Sequence, residues 1–208
     1  MIGIVMTTIG LGITLYVSFE AYQQGSLFAW HPFCMSMGAL GLSTASIQAV
    51  RLRRAVGGIQ SKTQRVQLHS ALSNGALVCM LGGSYAIYSN KTRMGKPHWT
   101  SWHAWAGLLA LALWAANVLV AWANTADIPG KRLHFLWQSR NHRWLGAAAY
   151  AAGLLALSLG LHSGWGVKSL GGTEGAWTLT AGVATVFMGV ISQGIGTATP
   201  PSPRRKDA

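Results

Sequence analysis

The sequence predicts an all-α fold: a polytopic membrane bundle of six transmembrane helices with both termini cytoplasmic. Three observations predict it. Six apolar runs of membrane-spanning length alternate with polar links. Only Glu20, Asp127, Glu174 and Asp207 are acidic. The sixteen Lys and Arg sit almost wholly between the apolar runs. A net charge of +12 often marks a nucleic-acid surface. Confined to the links, the same charge is that of a chain embedded in a lipid bilayer, with no nucleic-acid partner. No nucleotide loop, nucleophile elbow or acidic metal cluster is present.

The first run, Ile2 to about Tyr22, is apolar with small residues at Gly3, Gly10 and Gly12. No Lys or Arg precedes it and no small-residue cleavage site follows, so it reads as a span rather than a cleaved signal. Gln23-Gln24-Gly25 turns the chain into the second run, about Leu27 to Val50, with Trp30, His31 and Pro32 near its start. Proline in a first turn is tolerated because those N–H groups have no helical partner. Arg51-Leu52-Arg53-Arg54 stops the run. The third, about Val66 to Tyr88, has His69 near its start, and the link Ser89 to Pro97 leads to the fourth, about His98 to Asn124. Beyond Pro129-Gly130-Lys131-Arg132 the fifth runs from about Asn141 to Ser163. After Gly171-Gly172 the sixth spans about Gly175 to Gly196. Residues 1–198 read as one transmembrane domain and 199–208 as a disordered basic cytoplasmic tail.

Six spans place both termini on one side. The links 51–65 and 131–143 and the tail hold twelve basic residues, against Lys91, Arg93, Lys96 and Lys168 on the other side. The positive-inside bias makes the richer side cytoplasmic. Cys34 and Cys79 fall inside apolar runs and read as packing residues.

The histidines carry the chemistry. Runs 2 and 4 cross in one direction, and His31 and His103 lie near their starts. Runs 3 and 5 cross in the other, and His69 and His142 lie near theirs. Parity therefore pairs His31 with His103 near the outer face and His69 with His142 near the inner face. Two histidines at one depth on facing helices suit the axial positions of a haem iron, which they close to oxygen, favouring electron transfer. Gly107 and Gly146, each four residues after a candidate ligand, leave room for a macrocycle, as do Ser73 after His69 and Gly38 seven residues after His31. Helical rise would put the two irons roughly 15–20 Å apart along the membrane normal. A zinc site is the rival reading, but each pair offers two nitrogens and no further ligand. His134 and His162 have no partner at matching depth, and Met35, Met37 and Met80 read as core residues.

The stretch Ser101-Trp102-His103-Ala104-Trp105-Ala106-Gly107 is similar to the S-L-H-S-W-L-G element of the cytochrome b561 family. The steps His31, His69, His103, His142 resemble that family's four-histidine pattern, and Ser26-Leu27-Phe28-Ala29-Trp30-His31-Pro32 resembles its cytochrome b561 domain-containing branch. The resemblance implies two haem b, held by His31 with His103 and by His69 with His142. It implies an ascorbate-dependent ferrireductase or monodehydroascorbate reductase in an endomembrane or the plasma membrane, a homodimer being possible. Electrons would pass from cytosolic ascorbate to a ferric chelate or monodehydroascorbate outside. His98 matches a family position at the outer acceptor site and Arg65 a basic residue at the inner donor site. Ile47-Gln48-Ala49-Val50-Arg51-Leu52-Arg53 departs from the A-L-L-V-Y-R-V-F-R element associated with ascorbate in some members, which leaves a quinol as the alternative donor.

Both ascorbate and the acceptor are anions, so cationic rims are expected. Arg51, Arg53, Arg65, Arg140 and Arg143 are available inside; Lys91, Arg93, Lys96 and His98 are available outside. Arg65 and Arg140, and His98 and Lys96, are the candidate substrate contacts. A haem-free transporter or scaffold is the reading from another class. A transporter would be expected to carry ionisable groups near mid-membrane, and no acidic or basic residue lies there.

Overall fold

The computed structural model describes residues 2–51, 62–125 and 140–193. Among them the chain is helical, with no strand. Six long helices follow one another: α1 (Ile2–Tyr22), α2 (Leu27–Arg51), α3 (Lys62–Arg93), α4 (Trp102–Thr125), α5 (Arg140–Leu161) and α6 (Gly172–Ser192). A short helix, Gly164–Ser169, occupies what the sequence presents as a plain link before α6; Ser163 caps it by accepting from the Gly166 N–H at 3.2 Å.

Five of the six are long and apolar enough to cross a membrane. The other is α3, which has 32 residues, ample length at ~1.5 Å each, but carries Ser70, Ser73, Asn74 and Ser84 along its course. Its lower hydropathy follows from its neighbours, because Ser73 takes part in polar contacts with α2 and α4. The chain is an integral, multi-pass membrane protein. Exposed Trp30, Trp102, Trp122, Trp144 and Trp177 lie toward helix ends, the positions of interfacial aromatic belts.

Contacts between helices give the alternating directions. A Cβ on Gly3 would meet Gln48, one on Gly10 would meet Leu40, and one on Gly41 would meet Thr14, so α1 and α2 are antiparallel. Early α2 meets late α3 through His31 and Gly83, while late α2 meets early α3 through Ser46 and His69. Early α4 meets late α5 through His103 and Ala156. A Cβ on Gly182 of α6 would meet Ile13, and one on Gly189 would meet Met6. Helices α2 to α5 thus form the inner bundle, flanked by α1 and α6.

The middle of α2 is a π-helical turn, Met37–Leu42. Such turns insert a residue and re-aim the faces on either side. The turn is rich in small residues, and a Cβ on Gly38 would stand 2.8 Å from the Ala76 carbonyl oxygen. Gly38 therefore serves close approach of α2 to α3 rather than room for a cofactor, which corrects the expectation drawn from its spacing. Ser43 donates to the Gly38 carbonyl at 2.5 Å, and Thr14 to that of Ser36 at 3.2 Å, so these buried hydroxyls are satisfied within the bilayer.

His98 does not start a helix. Gly95 and Trp99 both have positive φ (62° and 56°), and α4 begins only at Trp102. Pro97 and the two left-handed residues prevent the helix from extending back to His98. The predicted tail, His134, Pro129, Lys131, Arg132, Trp137 and Arg53 lie outside the described residues.

Candidate haem centres

The structure brings the four histidines together in the pairs that helix parity gives. The rings of His31 and His103 have centroids 5.8 Å apart and planes at 85°. Those of His69 and His142 are 6.3 Å apart at 84°. With metal–nitrogen bonds of about 2 Å and a ring nitrogen about 1.2 Å from its centroid, imidazoles facing each other across one metal ion have centroids about 6.3 Å apart. Both pairs lie at or close to that separation.

Three of the four rings have a fixed tautomer. Nδ1–H of His31 donates to the Gly83 carbonyl at 3.1 Å, and that of His103 to the Ala156 carbonyl at 2.8 Å. Nδ1–H of His69 donates to the Ser46 carbonyl at 2.9 Å and lies 3.0 Å from the Ser46 hydroxyl. A carbonyl only accepts, so Nδ1 carries the proton and, in the neutral ring, the lone pair is on Nε2. Metal-ligating histidines are commonly held this way.

Each hydrogen bond has a local cause in the sequence. The Ala156 carbonyl is reachable because the residue one turn on is Gly160; a Cβ there would stand 2.9 Å from Cε1 of His103. Gly83 likewise lets α2 approach, since its Cβ would lie 3.0 Å from that of Cys34. Around His69 the hydroxyls form a chain. Buried Ser46 donates to the His69 carbonyl at 3.1 Å and lies 2.6 Å from the Ser73 hydroxyl. The indole N–H of buried Trp114 donates to the Ser73 carbonyl at 3.2 Å.

A cavity of about 340 Å³ adjoins the outer pair, walled by Phe28, Met35, Ala39, Leu111, Leu157 and Trp165 among others. Gly107 opens onto it, with nothing within 4 Å of the position a Cβ would take, as expected from its spacing after His103. Trp165 is one of the wall residues, and its indole nitrogen is buried without a hydrogen-bond partner. Two imidazoles at this separation beside an apolar wall fit a planar macrocycle.

At the mouth, His98 stacks on Tyr88 at 4.4 Å and 24°, and its Nε2 lies 3.3 Å from the Thr92 hydroxyl. Lys91 lines the cavity and donates to the Pro97 carbonyl at 3.1 Å. Lys96 is exposed and is not among the residues lining this cavity. At the other end, Arg65 is half-buried one turn before His69, and Arg140 begins α5 two residues before His142.

Gly146 departs from its expected role, since a Cβ there would meet the Asn117 amide nitrogen at 3.0 Å. Its space is taken by Asn117, whose amide oxygen is buried without a partner. Ser46, Gly160, Tyr88 and Trp165 do not stand out as site residues in the sequence; their only signal is that small or aromatic residues sit near helix ends. His162 is a helix-end residue, with Nε2 3.1 Å from the Thr180 hydroxyl and its ring against Trp177. Among the described residues no three His, Cys, Asp or Glu side chains converge as a zinc site would require. Cys34 and Cys79 are free thiols.

Residues 30–166 match the family model for eukaryotic cytochrome b561, a stretch that contains all four histidines. The chain is 27% identical to the probable transmembrane reductase CYB561D1 of Mus musculus over 91% of its own length and 84% of the relative's. It is 30% identical to the transmembrane reductase CYB561D2 of Bos taurus, over 82% of this chain and 76% of that one. It is 28% identical to the transmembrane ascorbate-dependent reductase CYB561 of Bos taurus, over 76% and 61% respectively. The chain therefore belongs to the eukaryotic cytochrome b561 family, membrane oxidoreductases of electron transport that bind haem b.

Proposed function

We propose that this chain moves electrons across its membrane through two haem b, from ascorbate at the His69 and His142 end to a ferric chelate or monodehydroascorbate at the His31 and His103 end. The observation that carries the reading is the two imidazole pairs, 5.8 Å and 6.3 Å between centroids, with Nδ1 of His31, His69 and His103 bonded to backbone carbonyls. The names of the relatives support reductase chemistry, and that of the Bos taurus CYB561 supports ascorbate as donor. The charge distribution supports placing the His69 end, and with it both termini, in the cytoplasm.

Haem, when bound, supplies a one-electron couple, and the residues do the rest. His31 with His103 and His69 with His142 would hold it, and Nδ1–H bonds to backbone carbonyls orient His31, His69 and His103. Phe28, Met35, Leu111 and Leu157 keep water from the outer centre. Lys91 and His98 draw an anionic acceptor to the mouth of the cavity. Arg65 and Arg140 would attract ascorbate at the opposite end.

The test is a visible spectrum of the purified protein, oxidised and then titrated with ascorbate, with haem quantified per chain. Two low-spin haems reduced by ascorbate are expected. Reduction by dithionite alone would transfer the donor role to a quinol or another reductant. Absence of haem after expression with ample haem would overturn the reading.

A further inference from the structure

Trp99 is the one non-glycine among the described residues with a left-handed backbone, at φ 56°. A bulky side chain in that region is strained, and such strain persists only where the surroundings impose it. Here they do. On one side the end of α3 holds the loop. Lys91 donates to the Pro97 carbonyl at 3.1 Å, the Thr92 hydroxyl lies 3.3 Å from Nε2 of His98, and Tyr88 stacks on the His98 ring. On the other side Ser101 caps α4, its hydroxyl accepting from the Ala104 N–H at 3.2 Å. Trp99 lies between these two anchors, where glycine would be the easier residue.

A large side chain kept at a strained position points to a use for the indole. Anchoring at the membrane surface does not require it there. Trp102, three residues on, is 83% exposed on regular helix and does not line the outer cavity. Trp99 is 46% exposed and does line it, beside Tyr88, Lys91 and His98. Its ring neighbour among the described residues is His98, 6.5 Å away and tilted at 42°, so no ring stacks on the indole. Lys91 is the one Lys or Arg among the described residues of the lining. The mouth thus offers an unstacked aromatic surface and a single fixed positive charge.

We propose that Trp99 determines acceptor specificity at the outer site, its indole giving a flat, conjugated, singly charged anion a surface to rest on while Lys91 supplies the opposite charge. The proposal rests on the reading that the acceptor is reduced at the His31 and His103 end. Aromatic rings attract other flat conjugated groups by stacking, a contact that a saturated ligand shell does not make. Monodehydroascorbate, a delocalised ring anion, is of the favoured kind. A ferric aminopolycarboxylate presents saturated carbon and carboxylates instead, and gains only the charge of Lys91.

Oxidation of the reduced, haem-loaded full chain, followed by stopped-flow at rising acceptor concentration, tests this. Monodehydroascorbate and ferric EDTA are both singly charged anions, and only the first is flat and conjugated. Trp99→Ala should raise the half-saturating concentration of monodehydroascorbate several-fold more than that of ferric EDTA, with the limiting rates little changed. Trp99→Phe should restore most of the difference. Trp99→Gly should act on the acceptors as Trp99→Ala does while melting at a higher temperature, because glycine relieves the backbone. Lys91→Glu should weaken both acceptors alike, since it removes charge and leaves the flat surface. Equal effects of Trp99→Ala on the two acceptors, or equal melting of the Gly and Ala variants, overturns the proposal. If Lys91→Glu also leaves both acceptors unaffected, the acceptor docks elsewhere and the placement of the outer site falls with it.

Discussion

A Cβ on Gly160 would stand 2.9 Å from Cε1 of His103 and 3.1 Å from its Nδ1. The glycine is what lets the imidazole lie flat enough on α5 to donate to the Ala156 carbonyl one turn earlier. An imidazole's orientation on one helix is thus set by the absence of a side chain on another. Gly160→Ala is expected to displace His103, with overpacking worth about 1–3 kcal/mol. Haem content and the low-spin resonances of the purified variant measure it: the outer centre should be lost or altered while the His69 and His142 centre keeps its signals.

Removing a ligand gives the complementary result. His103→Ala or His31→Ala should lower haem from two per chain to one, and His69→Ala or His142→Ala should remove the other. The haem retained by each pair of variants should show the same spectrum within the pair and a different one between pairs. Loss of both haems from every variant would point to a single shared centre instead.

Ser46→Ala separates positioning from ligation. The Ser46 backbone carbonyl still accepts from His69, but the hydroxyl that links His69 to Ser73 is gone. Both haems should remain, stability should fall by about 1 kcal/mol, and one midpoint potential should shift while the other stays. A spectroelectrochemical titration reads both at once.

Lys91 and His98 are the proposed contacts of the acceptor. Lys91→Glu reverses a charge at the mouth of the outer cavity without replacing any of the four paired histidines. It should raise KM for an anionic ferric chelate several-fold, more at low salt than at high salt, with unchanged haem spectra. Lys96→Glu, at an exposed site beyond the lining, should have a smaller effect.

Much of this molecule is legible along the chain because a bilayer imposes two strong rules. Apolar runs must be about as long as the membrane is thick, and their directions must alternate. Those rules locate five helices by hydropathy and the sixth by length, and they give the depth of every histidine. Depth and parity alone bring His31 to His103 and His69 to His142, as the ring separations show.

What the chain does not carry is the rotation of each helix about its axis and its distance from its neighbours. Gly38 and Gly146 have the spacing of cofactor-facing positions, yet they meet Ala76 and Asn117, because the π-helical turn in α2 and the packing of α4 on α5 decide which way they point. Gly160, Ser46 and Trp165 lie far in sequence from the histidines or cavity they serve, with no periodic pattern to mark them. His98 has helical neighbours in sequence but sits in a loop held by two left-handed residues. The sequence by itself determined which residues share a depth in the membrane, because hydrophobic length is a one-dimensional property. Only the tertiary structure decided which of them touch, because contact depends on interhelical distance and rotation, which are settled by side chains from several helices at once.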